Sequence, residues 1–91
     1  MTTARGSFVV CNRLGLHARA ASKLVQLASS FPCEIVVSRE GQAANAKSVM
    51  GVLLLCGSMG TTLDVEAIGP DAELAVRRIG ELIQDRFGEG E

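Results

Sequence analysis

Tryptophan and tyrosine are missing from this chain, and three phenylalanines are its only aromatic residues among 91. Its formal net charge is −1. With no basic excess to neutralise phosphates and few rings on which bases could stack, nucleic acid is excluded as a partner. Long apolar stretches are absent too. The longest, Val49 to Cys56, contains Gly51 and is far too short to cross a bilayer, which excludes membrane insertion by a helix. No basic segment followed by an apolar one opens the chain, so a cytoplasmic location is expected. Cys11, Cys33 and Cys56 are odd in number, form no CxxC pair and sit in apolar stretches. They read as buried free thiols of a reducing compartment. A single histidine leaves too few ligands for zinc, and no metal site is expected. No linker, repeat or low-complexity block divides the sequence. Residues 1–91 therefore read as one domain, with 86–91 as a frayed tail, burying roughly 60–65% of the unfolded surface.

Hydrophobic patterning supplies the elements. Phe8-Val9-Val10-Cys11 is a short β-prone run. Residues 18–30 then take helical spacing, with Ala21, Leu24, Leu27 or Ala28, and Phe31 on one face. Pro32 ends that helix. Cys33–Arg39 reads as a strand, Glu40-Gly41 as a turn, and Gln42–Ala46 as a weaker strand. Ser48 has the side chain of a helix N-cap before a short helix over Val49–Leu55, with Gly57 as its stop. Thr62–Ala67 alternates as a half-buried strand does. Gly69-Pro70-Asp71-Ala72-Glu73 opens a last helix with proline at its first position and acids in its first turn. Ala72, Val76, Ile79 and Ile83 form its apolar stripe. The order βαββαβα points to an α+β open-faced sandwich, a sheet covered on one side.

The chemistry concentrates in Gly15-Leu16-His17-Ala18-Arg19-Ala20, which leads the lone histidine into the first amphipathic helix. Imidazole is a nucleophile near neutral pH. The first turn of a helix offers unpaired N–H groups, here those of Ala18 and Arg19, at the positive end of its dipole. Arg19 adds a forked positive charge suited to phosphate oxygens. His17 alone would read as a surface or capping histidine, and Arg19 alone as a solvated one. Together at a helix mouth they suit a phosphoryl group.

This segment resembles the signature of the HPr family of phosphocarrier proteins. A second stretch, Lys47-Ser48-Val49-Met50-Gly51-Val52-Leu53, is similar to the family's regulatory-serine segment. The likeness runs from about residue 7 to residue 85. It implies a four-stranded antiparallel sheet in the order 1-4-2-3 with three helices on one face. It also implies a carrier rather than an enzyme, which needs no cofactor and acts as a monomer. Phosphoryl would pass from Enzyme I, charged by phosphoenolpyruvate, to Nδ1 of His17 and on to IIA proteins, in sugar transport or in a nitrogen-related regulatory branch. Arg19 would steady the phosphohistidine. Ser48 would be the target of an HPr kinase/phosphorylase. Leu16, Val49, Met50 and Leu53 would contribute an exposed apolar docking patch beside His17, where methionine suits several partners in turn. Family members usually carry proline directly after the arginine, and this chain has Ala20. Two rivals are weaker. An acylphosphatase-like phosphatase would need Asn12 or Asn45 to orient water, and a ferredoxin-like RNA-binding domain is disfavoured by charge and the lack of aromatics.

Overall fold

A computed structural model describes residues 2–90. Its elements run β1 (Thr3–Val9), α1 (Ala18–Ser29), β2 (Glu34–Arg39), β3 (Gln42–Asn45), α2 (Val49–Leu54), β4 (Thr62–Ile68) and α3 (Ala72–Gln84), followed by a tight turn over Arg86–Gly88. The strands form one antiparallel sheet in the order β1-β4-β2-β3. Both the βαββαβα order and the expected strand order hold.

Alternation along the strands gives the sheet its two faces. Gly6 pairs with Val65, Phe8 with Leu63, Ile35 with Ala67 and Val37 with Val65, and these residues turn toward the helices. The opposite face is polar and open. There Arg5 Nε donates to Glu66 at 2.6 Å and Ser7 Oγ to Asp64 at 2.6 Å, across the β1/β4 pair. Ala20, Ala21, Leu24 and Ala28 of α1, with Ala72, Ala75, Val76, Ile79 and Ile83 of α3, close the core over the covered face.

Four local expectations change. The first strand begins at Thr3, five residues before Phe8, because cross-strand pairing carries Arg5, Gly6 and Ser7 whatever their β propensity. The short helix α2 is not stopped by Gly57. Cys56 takes the left-handed backbone instead (φ 53), while Gly57 is buried against Leu16, its missing Cβ leaving room for Leu16 Cδ1. Pro70 lies outside α3, whose N-cap is Asp71 in a left-handed conformation (φ 62) without a side-chain cap. Of the three free thiols only Cys33 is buried, and Cys56 is exposed.

The largest change is at the C-terminus. Residues 86–90 are no frayed tail, and Glu91 lies outside the described residues. Phe87 is fully buried against α1 and α3. Left-handed backbones at Arg86 (φ 57), Phe87 (φ 53) and Gly88 (φ 77) reverse the chain around it. Each non-glycine residue there costs roughly 1–2 kcal/mol. Burying a phenylalanine contributes about 1.5–3 kcal/mol. Lys23 Nζ adds a hydrogen bond to the Phe87 carbonyl at 2.6 Å. Burial and this bond offset the strain, and the last residues are brought back over the start of α1.

Candidate functional site

His17 is the N-cap of α1, in extended conformation (φ −77, ψ 177), and no side chain caps the helix. Its carbonyl opens the helical ladder by accepting from Ala21 N at 2.9 Å. The N–H groups of Ala18 and Arg19 therefore have no partner within the helix and point toward the space before it. Hydrogen bonds fix the loop that leads in, beginning with Gly15 N to the Asn12 carbonyl at 3.2 Å. Leu16 N donates to the Gly57 carbonyl at 2.7 Å, His17 N to the Gly15 carbonyl at 3.0 Å, and Asn12 Nδ2 to the same Gly15 carbonyl at 2.9 Å. Gly15 is obligatory here. It has φ 66, and a Cβ would stand 2.5 Å from the Gly57 carbonyl oxygen.

The ring of His17 is one-quarter exposed, and its Nε2 contacts the Glu89 carboxylate. The second carboxylate oxygen accepts from Asn12 Nδ2 at 2.9 Å. This amide bond is the main influence holding the Glu89 carboxyl below its ordinary range. The His17 hydrogen bond and the charges of His17 and Arg19 act the same way, against a desolvation that pulls it up. Arg19 is exposed on the first turn. With Arg13, Leu14, Lys23, Gly88, Glu89 and Gly90 it lines a depression of about 420 Å³ next to the histidine. Three basic side chains and one carboxylate line it, a setting for an anion delivered from outside.

His17, Ala18 and Arg19 thus stand together, joined by Asn12 and Glu89, neither of which was among the expected carrier residues. Asn12 had a faint signal as a polar residue between a strand and the glycine loop. Glu89 had none, since its place depends on Phe87 being buried. Ser48 stands apart. Its Oγ accepts from Gly51 N at 3.2 Å, which makes it the expected N-cap, and its bonds stay within the Asn45–Val52 segment.

The apolar patch is redrawn. Leu16 is 6% exposed and belongs to the core, because Gly57 leaves a slot for its side chain. Leu53 packs against the core as well. Met50 (70% exposed) and Leu54 (68%), four residues apart on α2, form the open stripe, with Val49 beside them. The phosphatase rival loses its amides. Both donors of Asn12 are occupied by Gly15 and Glu89, and Asn45 sits at the end of β3, its Oδ1 accepting from Lys47 N. No group of three or more histidine, cysteine or acidic side chains suited to a metal occurs among the described residues. No described helix is long and apolar enough to cross a membrane.

Comparison with known proteins gives concordant matches. The family profile described as PTS HPr component phosphorylation site matches residues 4–85. Phosphocarrier protein HPr of Cupriavidus necator is 48% identical over 90% of this chain and 92% of that protein. Phosphocarrier protein NPr of Shewanella violacea is 43% identical over 98% of both. The crystal structure of HPr-C-His from Thermoanaerobacter tengcongensis superposes with a TM-score of 0.92 at 38% identity, over 97% of this chain and 99% of that one.

Proposed function

The chain belongs to the HPr family of phosphocarrier proteins of the phosphotransferase system, and from that premise we propose that His17 accepts a phosphoryl group from Enzyme I and passes it to a IIA protein. The observation that carries the reading is the helix-mouth histidine, with Arg19 and two unpaired first-turn N–H groups around it. The lone pair of His17 Nδ1 attacks phosphorus in line. An N–P bond forms as the P–N bond of the Enzyme I phosphohistidine breaks, and that electron pair returns to the donor ring. Transfer to IIA repeats the exchange with His17 as donor. Little covalent work falls to the protein, so positioning and charge dominate.

The helix end stabilises an anion by roughly 0.3–2 kcal/mol, and Arg19 adds to it without enclosing the group. A carrier must release what it binds, and an open depression permits that. Met50, Leu54 and Val49 would meet the partner's apolar surface, with the basic residues that line the site. The carrier proposed here would act as a monomer in the cytoplasm. Ser48 is partly accessible, and a serine kinase acting there would place its charge beside that patch. Relatives named HPr and NPr both match, so the donor is either a sugar-branch or a nitrogen-branch Enzyme I.

The test is phosphorylation by each Enzyme I with phosphoenolpyruvate. Wild type should gain one acid-labile, base-stable phosphoryl group, His17→Ala none, and Arg19→Ala should gain it more slowly while staying folded. Retention of the label by His17→Ala would overturn the reading.

A further inference from the structure

We infer that Glu89 is a positioning residue for phosphoryl transfer: its carboxylate, braced by the Asn12 amide, holds the Nε2–H of His17 and leaves Nδ1 as the free nucleophilic nitrogen. The inference rests on the carrier reading above. A neutral imidazole has one N–H and one lone pair, and an ionised carboxylate can only accept. With Glu89 Oε2 against Nε2, the proton belongs on Nε2 and the lone pair on Nδ1. Glu89 is itself held. Its other oxygen takes a hydrogen bond from Asn12, a fully buried residue whose second amide hydrogen is tied to the Gly15 carbonyl. The backbone arrives through the Phe87 anchor and the Lys23 bond to the Phe87 carbonyl. A carboxylate that fixes the tautomer and orientation of a histidine whose other nitrogen reacts is an arrangement shared by hydrolase triads and metal-ligating histidines.

The carboxylate also matters once transfer has begun. As Nδ1 bonds to phosphorus the ring acquires positive charge, spread toward the Nε2–H that Glu89 accepts. That charge is compensated on the edge of the ring away from the incoming group. The competing role for the same carboxylate is a plug, an anion occupying the neighbourhood of Arg19 until phosphoryl displaces it. The two roles predict opposite signs. Removing a positioning residue slows acceptance, and removing a plug hastens it.

The experiment measures the rate of phosphoryl acceptance from phosphorylated Enzyme I by the full chain, as wild type, Glu89→Gln and Glu89→Ala. A second arm follows solvent exchange of the His17 ring N–H by NMR in the unphosphorylated protein. Acceptance should slow by about tenfold in Glu89→Ala, the size typical of losing a partner that orients a reactive histidine. Glu89→Gln should slow as well, because its one carbonyl oxygen cannot accept from both Asn12 and His17, and its NH2 group must face one of the two positions from which the carboxylate accepts. The ring N–H should be protected in wild type and exchange freely in Glu89→Ala. A rate unchanged or raised in Glu89→Ala, or equally free exchange in both proteins, overturns the inference. If wild type accepts nothing from Enzyme I, the carrier reading fails instead, and the exchange arm still decides whether Glu89 holds the ring.

Discussion

Replacing Phe87 with alanine tests whether the last turn belongs to the domain. Phe87 has no exposed surface and packs against both α1 and α3. Truncating a buried phenylalanine typically costs about 3–5 kcal/mol. Detachment of the tail limits the loss, since it relaxes the left-handed backbones of Arg86 and Phe87, worth roughly 1–2 kcal/mol each. Against that relief stand the Lys23 bond to the Phe87 carbonyl, about 1.5–3 kcal/mol for a charged donor, and newly wetted core beneath the ring. The balance is a destabilisation of about 3 kcal/mol, and a domain of this size has about 5–15 kcal/mol in all, so the variant stays folded at 25 °C. At about 4–8 °C per kcal/mol, Tm should fall by about 12–24 °C. Circular dichroism melts and urea midpoints measure this directly. Because Glu89 leaves with the anchor, phosphoryl acceptance by Phe87→Ala should also drop to the level of Glu89→Ala. A Tm within about 4 °C of wild type would refute the argument and return residues 86–90 to the status of a frayed end.

Gly80→Ala should destabilise the protein despite improving helix propensity by about 1 kcal/mol, because the new Cβ would lie 2.2 Å from Phe8 Cε1 and overpacking costs about 1–3 kcal/mol. In a Phe8→Ala background the same change should stabilise, and a double-mutant cycle that shows no change of sign contradicts the packing described. Ser48→Ala should lose about 1 kcal/mol with its cap, read as a Tm lower by about 4–8 °C. Ser48→Asp should keep its Tm but bind Enzyme I more weakly in titration, and equal affinity would leave Ser48 as a cap alone. The Glu89 carboxyl is held below its ordinary range in the folded protein, chiefly by Asn12. Its contribution is therefore present above the unfolded carboxylate value and lost as pH falls through the lower folded one. The Tm gap between wild type and Glu89→Gln should close as the pH drops below the ordinary carboxylate range, and a gap independent of pH would mean the carboxylate is not held.

Much of this arrangement was legible in the sequence because local spacing and global packing agree. The inward residues of α1 recur at helical intervals, those of β4 at every second position, and Ser48 caps the helix its side chain announces. The His17 motif is legible for the same reason, since the residues that would hold the phosphoryl are its sequence neighbours. What escaped is non-local. Phe87 lies between glycine, acids and arginine, and only the finished meeting of α1 and α3 offers it a place to be buried. Glu89 depends on that burial in turn. Leu16 looked like a surface residue of a docking loop until a glycine forty-one positions later opened a slot for it. Cys56 adopts the left-handed turn expected of the neighbouring Gly57, because Gly57 is needed elsewhere, for Leu16.

Ala20 is where sequence and site have to be weighed against each other. A proline after the arginine would stiffen the first helical turn, and alanine gives no such restraint, only good helix propensity. Stiffness at His17 nonetheless has other sources. The loop before it is bound at Gly15 from Asn12 and at Leu16 from Gly57, and Gly15 is wedged where no side chain fits. Ala20 itself is fully buried, so the turn is clamped to the core from inside. On the far edge of the ring Glu89 holds Nε2. Restraint therefore acts on the histidine from the loop before it and from the returning C-terminus, while Arg19 and the first-turn N–H groups stay open to solvent. That division would suit a site presenting one nitrogen to two successive partners, with the ring held from behind and Arg19 exposed beside it.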